Sequence, residues 1–473
     1  MGVLARAPFL AVLAGLAAML AWSDRVVWWA LPLAALLVTC GVAASSFRSE
    51  LKGQWRIAAF VAVCVLLCSS WMVFSLVPPP VPSSLVDTEG IVVESRPWGR
   101  MYAVAVKTPE GGFVVRLPFA TLPEGSRVRL RGMPRPFRGA AAGSDFREDR
   151  FWYARGMTAQ LGSVKTELLA EKGWNIHRWR HFLYRSLTLH VPRTTSSYLN
   201  AAWTGKRNGG LNDRHKAWGT SHILAVSGFH VGIVMLGVAL LFRRGKWRIP
   251  LLSLFLWLYI GLAGAPPSAV RAGLMLQIAL LGELAGRPGS PLNSVSLAAV
   301  LLLLASPFWF WDIGWRLSVL AALVIAAVLE RASSSDWRVW LFVSPLIWVA
   351  TFPQVAWTFG AVPLVGVLVN LFAPAFFSFA LTFASIAAVL RLIGVAGAGL
   401  LLTVAEEAFV MWGDIADTLA FWIPWQLSWN YFLAYCCTGI FLTLLCRALF
   451  VPWRSVALLA PLGSLAAFAL FGG

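Results

Sequence analysis

Apolar residues fill long, nearly unbroken blocks at the start of the chain and again from about residue 222 onward, with one interval of different rhythm between them. Blocks of roughly 17 to 25 apolar residues recur, each long enough to cross a hydrocarbon core of about 30 Å as a helix, and about ten to thirteen can be distinguished. The first three cover residues 8–22, 26–44 and 57–77, and Pro78, Pro79 and Pro80 follow the last of them. The first block reads as a retained span rather than a cleaved leader, because two more precede any soluble domain. From about 85 to 168 the pattern changes to short alternating runs between Gly and Pro turn signals: TEGIVVE (88–94), YAVAVK (102–107), GFVVRL (112–117) and SRVRLRG (126–132). About five strands in such a stretch predict a small all-β barrel of the OB type.

After the strands, residues 174–192 place Ile176, Trp179, Leu183 and Leu187 at helical spacing, while His177, Arg178, Arg180, His181 and Arg185 fall elsewhere. That pattern predicts an amphipathic helix lying in a membrane interface. The expected organisation is therefore a three-helix transmembrane module (1–78), an OB-like β domain (79–170), interfacial amphipathic helices (171–220) and a polytopic helical domain (221–473). The fold class is a polytopic α-helical membrane protein carrying a small all-β domain.

Composition agrees: 59% hydrophobic and 13% charged residues exclude a single soluble globular chain. Charge adds orientation. Arg48, Lys52 and Arg56 stand between the second and third blocks, against only Asp24 and Arg25 between the first two. Positive charge marks cytoplasmic loops, so the N-terminus is expected inside and the β domain outside, in the periplasm or exterior. A formal net charge of +18 suits topology, anionic lipid or a polyanionic substrate alike. The six cysteines, Cys40, Cys64, Cys68, Cys436, Cys437 and Cys446, all lie in apolar stretches as small hydrophobes, with no disulfide framework and no metal site expected.

Within the β domain, Arg96, Trp98, Arg100, Tyr102, Phe113, Arg116 and Phe119 are the cations and aromatics that a single-strand-binding barrel presents. The plain alternative is that Tyr102 and Phe113 are core and the arginines solvate the surface. No ATP-binding loop of the form G-x-x-x-x-G-K-[ST] occurs, so any transport draws its energy from elsewhere.

The most specific stretch is HILAVSGFHVG (222–232), which closely resembles the H-L-L-A-I-S-G-L-H-V-G signature of the ComEC competence family. LAGAPPSAVRA (262–272) is similar to that family's L-x-G-x-x-P-S-x-x-R-A, and DIGWRLS (312–318) to its D-x-G-F-Q-L-S, while TGKR (204–207), 143–156, 291–293 and 370–374 echo further family stretches. Lys206 stands where the family commonly has an acid, and Arg316 where Gln is usual. The resemblance implies a channel passing single-stranded DNA through the bacterial inner membrane in natural transformation. It also implies a separate nuclease, an exported DNA-binding receptor and a cytoplasmic helicase motor as partners, besides membrane lipid. Many family members carry a metallo-β-lactamase-like domain; its His-x-His-x-Asp-His cluster does not occur here, and the last His is His230. No cofactor is expected, and the chain is read as not an enzyme.

A strand with one charge per nucleotide needs polar walls and a few cations. Counting spans from the cytoplasmic loop at Arg243, Arg244, Lys246 and Arg248 puts His222, Ser268, Arg271, Asp312 and Arg316 near the outer ends of their helices. With Ser227, Gly228, His230, Lys206 and Arg207 they are the expected lining of the path. Asp312 and Arg316, at i and i+4, can instead form a pair that only holds helices together, and Arg271 can snorkel to the interface. His222, Ser227 and His230 also invite a hydrolase or metal reading, but residues eight apart on one helix sit roughly 12 Å apart, too far for one metal. Ser227 and Gly228 are expected to interrupt the fourth span, either for close helix packing or to open the backbone to a cavity. The alternative from another class is a carrier for a smaller anionic solute.

Overall fold

The computed structural model describes residues 7–22, 55–119, 122–139, 146–170, 175–243, 245–286, 289–330 and 337–428. The expected span 26–44, the loop cations Arg48 and Lys52, Arg244, residues 143–145 and Cys40, Cys436, Cys437 and Cys446 lie outside the described residues. The chain opens with α1 (Pro8–Trp22) and α2 (Trp55–Ser75). Then come β1 (Val86–Trp98), β2 (Met101–Thr108), β3 (Gly111–Leu117), β4 (Arg127–Arg135), α3 (Glu148–Tyr153) and β5 (Ala159–Ala170).

These five strands close into a barrel in the order β1-β2-β3-β5-β4. Closure depends on the long β1: its first half pairs with β4 from Val86 to Ile91, a bulge follows between Val92 and Glu94, and its second half pairs with β2. Gly90 permits the crossing, because a Cβ there would lie 2.5 Å from the Lys107 carbonyl oxygen. The parallel pairing of Phe113–Val115 with Ala159–Leu161 shuts the last seam. Alternation along YAVAVK then places two cores. Val104 and Val106 point into the barrel with Phe113, Val115, Val128 and Leu130, while Ala103 and Ala105 point outward beneath Trp152, Phe137 and Met157.

Past the barrel run α4 (Ile176–His190), α5 (Arg193–Thr204), α6 (Gly209–Ala217), α7 (Gly228–Leu241), α8 (Arg248–Leu262) and α9 (Pro267–Leu284). They are followed by α10 (Pro291–Ala305), a 3-10 turn (Pro307–Trp311), α11 (Ile313–Leu329), α12 (Trp337–Phe359), β6 (Ala361–Pro363), α13 (Val365–Leu392), α14 (Ala398–Trp422) and β7 (Gln426–Ser428). Among the described residues α13 alone is long and apolar enough to cross a membrane; α1, α2, α7, α8, α10, α11 and α12 carry shorter apolar stretches of 10–17 residues. Such stretches rise about 15 to 26 Å, less than a hydrocarbon core. The apolar run from His222 shows why they come out short: its first residues form turns, and helix begins only at Gly228.

The described residues divide into two compact units, one drawn from residues 7–77, 274–371 and 423–428, the other from Pro78–Gly273 and Phe372–Trp422. In the first, Ala7, Leu292, Val295, Ala326 and Ala327 form a core, and the Phe9 N–H donates to Asn293 Oδ1 at 3.2 Å. In the second, the barrel is joined by helices packed on Tyr198, Phe377 and Phe409, with the Tyr198 and Phe409 rings stacked at 4.5 Å. Alanines at 373, 384, 387, 388 and 405 let these helices approach closely.

Amphipathicity of α4 takes a different form from the expected one. Leu187 and Arg180 are buried, whereas Trp179 is 48% exposed. Arg180 turns inward because a carboxylate from the barrel meets it there.

Candidate functional site

In the second unit, α7 starts where it does because Ser227, in extended conformation, caps it. The Ser227 N–H donates to His230 Nδ1 at 3.4 Å, so His230 takes the place that Glu or Gln fills in a capping box. An accepting Nδ1 puts the imidazole proton on Nε2. Upstream of the cap His222 is exposed in a turn, so the two histidines do not share a helix. Ser227 and Gly228 thus begin a helix; the anticipated interruption is an end.

Helix α9 is tied to this start. A tight turn with positive φ at Gly264 and Ala265 leads into Pro267, and Ser268 Oγ donates to the Val226 carbonyl at 2.6 Å. One residue beyond Arg271, Ala272 lies 3.3 Å from where a Cβ on Gly228 would sit. Arg271 itself is 4% exposed, and its Nε and Nη1 have no hydrogen-bond partner among the described residues. A guanidinium kept from water with donors unused is costly.

A second convergence lies where the barrel meets the helices. The turn before β4 inserts Gly125 (φ +82) against the first turn of α4, with a Cβ there 2.5 Å from Arg178 N. Asn175 caps α4 by accepting from the Arg178 N–H at 2.8 Å, and its Nδ2 donates to the Gly125 carbonyl at 3.0 Å. Next to that turn the Glu124 side chain, 1% exposed, faces Lys206 Nζ at 3.3 Å and Arg180 Nη1 at 3.7 Å, and accepts from the Ser95 N–H at 3.1 Å. Arg180 Nε donates to the Thr204 carbonyl at 2.7 Å. The Lys206 ammonium also stands 4.6 Å over the Tyr184 ring. Burial pushes its pKa down, outweighing the opposing pull of Glu124. Lys206 thus shares an ion cluster with Glu124 and Arg180.

Asp312 and Arg316 belong to the other unit. Asp312 precedes α11 as its N-cap, its Oδ1 accepting from the Trp315 N–H at 3.2 Å. Arg316 Nε donates to the Phe310 carbonyl at 2.5 Å, and its guanidinium lies 4.8 Å from that ring.

On the barrel, Phe113 is core and Trp98 packs 5.2 Å from Phe151 and 5.3 Å from Trp152. Arg96 lies 5.1 Å over Phe151, and Arg116 pairs with Glu148 at 2.5 Å. Arg100 and Phe119 are exposed, Phe119 by 71%.

Sequence reasoning passes over Glu124, Trp152 and His215. His215 is fully buried on α6, with Nε2 2.9 Å from the Tyr198 hydroxyl and Nδ1 2.8 Å from Thr220 Oγ1. Burial holds its pKa down to about 3. A histidine with a depressed folded pKa contributes stability that is complete above the unfolded value near 6.5 and lost as pH falls toward 3. Between pH 7.5 and 5 the protein is therefore expected to lose about 2 kcal/mol through this group. In thermal melts of the detergent-solubilised protein, His215→Asn is expected to show a smaller acid decrement than the parent. An unchanged decrement would refute the assignment.

Among the described residues no group of three or more His, Cys, Asp or Glu is arranged to hold a metal ion. The profile of the competence protein family matches residues 209–454. ComE operon protein 3 of Bacillus subtilis (strain 168) is 30% identical over 231 residues, covering 45% of this chain and 30% of that protein. An uncharacterized protein of Aquifex aeolicus (strain VF5) is 29% identical over 163 residues, covering 34% of this chain and 40% of that one. Each match thus spans less than half of the relative's length. No solved structure matches the chain.

Proposed function

This chain belongs to the competence protein family, whose profile covers just over half of it, and we propose that it passes single-stranded DNA across the bacterial inner membrane during natural transformation. One observation carries the reading: Arg271 is a buried guanidinium with unused donors beside the capped start of α7. A polyanion crossing an apolar barrier needs such a group, because fixed donors substitute for the water that the phosphates leave behind. His230, Ser227, Ser268 and the turn holding His222 add neutral hydrogen-bonding groups around the same helix ends, so that passing phosphates are met without being trapped.

In this reading the apolar helices form a polytopic membrane domain over 221–473, the N-terminal module 1–78 is anchored with its first residues in the cytoplasm, and the barrel of 79–170 stands outside. The outward apolar surface of α13, where Phe372 is 63% and Phe379 79% exposed, supports a lipid environment. The chain conducts rather than catalyses, and a separate nuclease and motor act on either side. Clean deletion with complementation tests this. Labelled DNA is expected to reach a nuclease-protected cytosolic compartment only in the complemented strain, and undiminished entry in the deletion strain would sink the proposal.

A further inference from the structure

Barrels of the OB class take oligonucleotides on the outer face of strands 2 and 3 and the adjoining loops. In this protein that face is filled. Ala103, Ala105 and Val114 lie beneath Trp152, which is fully buried, and α3 is latched by the 2.5 Å pair between Arg116 and Glu148. Nucleic acid meeting the barrel must be held elsewhere.

One rim offers the charge for it. Arg96, near the end of β1, and Arg207, in the turn between α5 and α6, are each one residue from a contact with Glu124, which accepts from the Ser95 N–H at 3.1 Å and meets Lys206 Nζ at 3.3 Å, and Arg207 is exposed there. Arg207 makes no hydrogen bond or ion pair among the described residues. The carboxylates nearby are committed: Glu124 to Lys206 and Arg180, Glu94 to Arg96 at 3.4 Å. Three cations, Arg96, Arg180 and Lys206, thus share two carboxylates, and Arg207 follows Lys206 with none of its own. Like charges drawn together by the fold and left in excess make a site for an anion. Two guanidinium forks from separate elements suit phosphate oxygens, and rings line the approach, with the Arg96 guanidinium 5.8 Å over Trp98 and 5.1 Å over Phe151.

We propose that Arg96 and Arg207 together clamp the phosphodiester backbone of single-stranded DNA at the rim between barrel and helices, and that the filled β2–β3 face takes no part. The clamp rests on the DNA reading above. Through it the barrel hands the strand to the helical part that carries Arg271.

The test is anisotropy of a fluorescein-labelled oligothymidylate with the purified full chain in detergent, titrated across salt. Arg96→Gln and Arg207→Gln are each expected to weaken binding about tenfold, and to lower the slope of log affinity against log salt by about 0.7 for a lost contact to a single strand. Arg96→Lys and Arg207→Lys should keep the slope, since a point charge still meets the phosphate. Gln variants with the parent's affinity and slope would overturn the clamp while leaving the DNA reading intact. Absence of binding by the parent at low salt would overturn both. If the Gln variants lose their melting transition, the Lys pair decides, and loss of slope in well-folded Lys variants would also refute the clamp.

Discussion

Arg271→Gln is expected to abolish DNA entry while leaving the protein at or above its normal level in the membrane. The expectation follows from an imbalance at this residue. A buried donor without a partner costs about 1–3 kcal/mol, more when charged, and Arg271 has two such nitrogens. Neutral Gln lifts most of that burden, so a purely structural role predicts a variant at least as stable as the parent and fully active. A conducting role predicts the same stability with entry reduced at least about a hundredfold, because removing a charge-assisted contact from a low-dielectric barrier costs about 3 kcal/mol or more. Membrane fractionation, a melt in detergent and uptake of labelled DNA separate the two. Full uptake by the variant would take Arg271 out of the path, and loss of the protein would show that a further contact of this side chain holds the fold.

Much of this architecture is legible along the chain, for definite reasons. The strands announce themselves by alternation, and even the choice of Val for inward and Ala for outward positions in YAVAVK agrees with what each side packs against. The motifs at 204–207, 222–232 and 262–272 fall together in one unit, where a Cβ on Gly205 would lie 2.6 Å from the Ala263 oxygen and one on Gly264 2.6 Å from the Arg180 guanidinium. Other features cannot be read from local pattern. Trp152 sits on a six-residue helix in an interval without periodicity, so nothing nearby says that it will cover β2 and β3. Hydropathy overestimates span length because it does not register a cap: Ser227 and His230 start the helix part-way along an apolar run. Periodicity assigns Arg180 to the solvated face of α4 because its partner, Glu124, lies 56 positions away in a turn whose PEG sequence reads as surface.

That last misreading leads to the other large effect, Glu124→Gln, which is expected to destabilise the second unit by about 3–5 kcal/mol. Glu124 is 1% exposed on its side chain, Arg180 9% and Lys206 20%, so water offers little compensation when the carboxylate goes. Gln still accepts from the Ser95 N–H, which isolates charge from hydrogen bonding. What remains is two cations in a site from which their counter-charge has been removed, with the Arg180 guanidinium already confined by Gly264 and by its bond to the Thr204 carbonyl. For a unit of this size such a loss corresponds to roughly 10 °C in the melting temperature. Lys206→Met, alone and combined with Glu124→Gln, completes the argument. If Glu124 acts as a counter-charge, the double variant should melt several degrees above Glu124→Gln alone, because one stranded cation has been removed with it. Lys206→Met alone should cost little, as Glu124 keeps Arg180. Additive losses in the double variant, or a Glu124→Gln protein that melts with the parent, would show that the barrel is held to the helices by the Gly125 and Asn175 contacts instead, and that the buried charges are incidental to the joint.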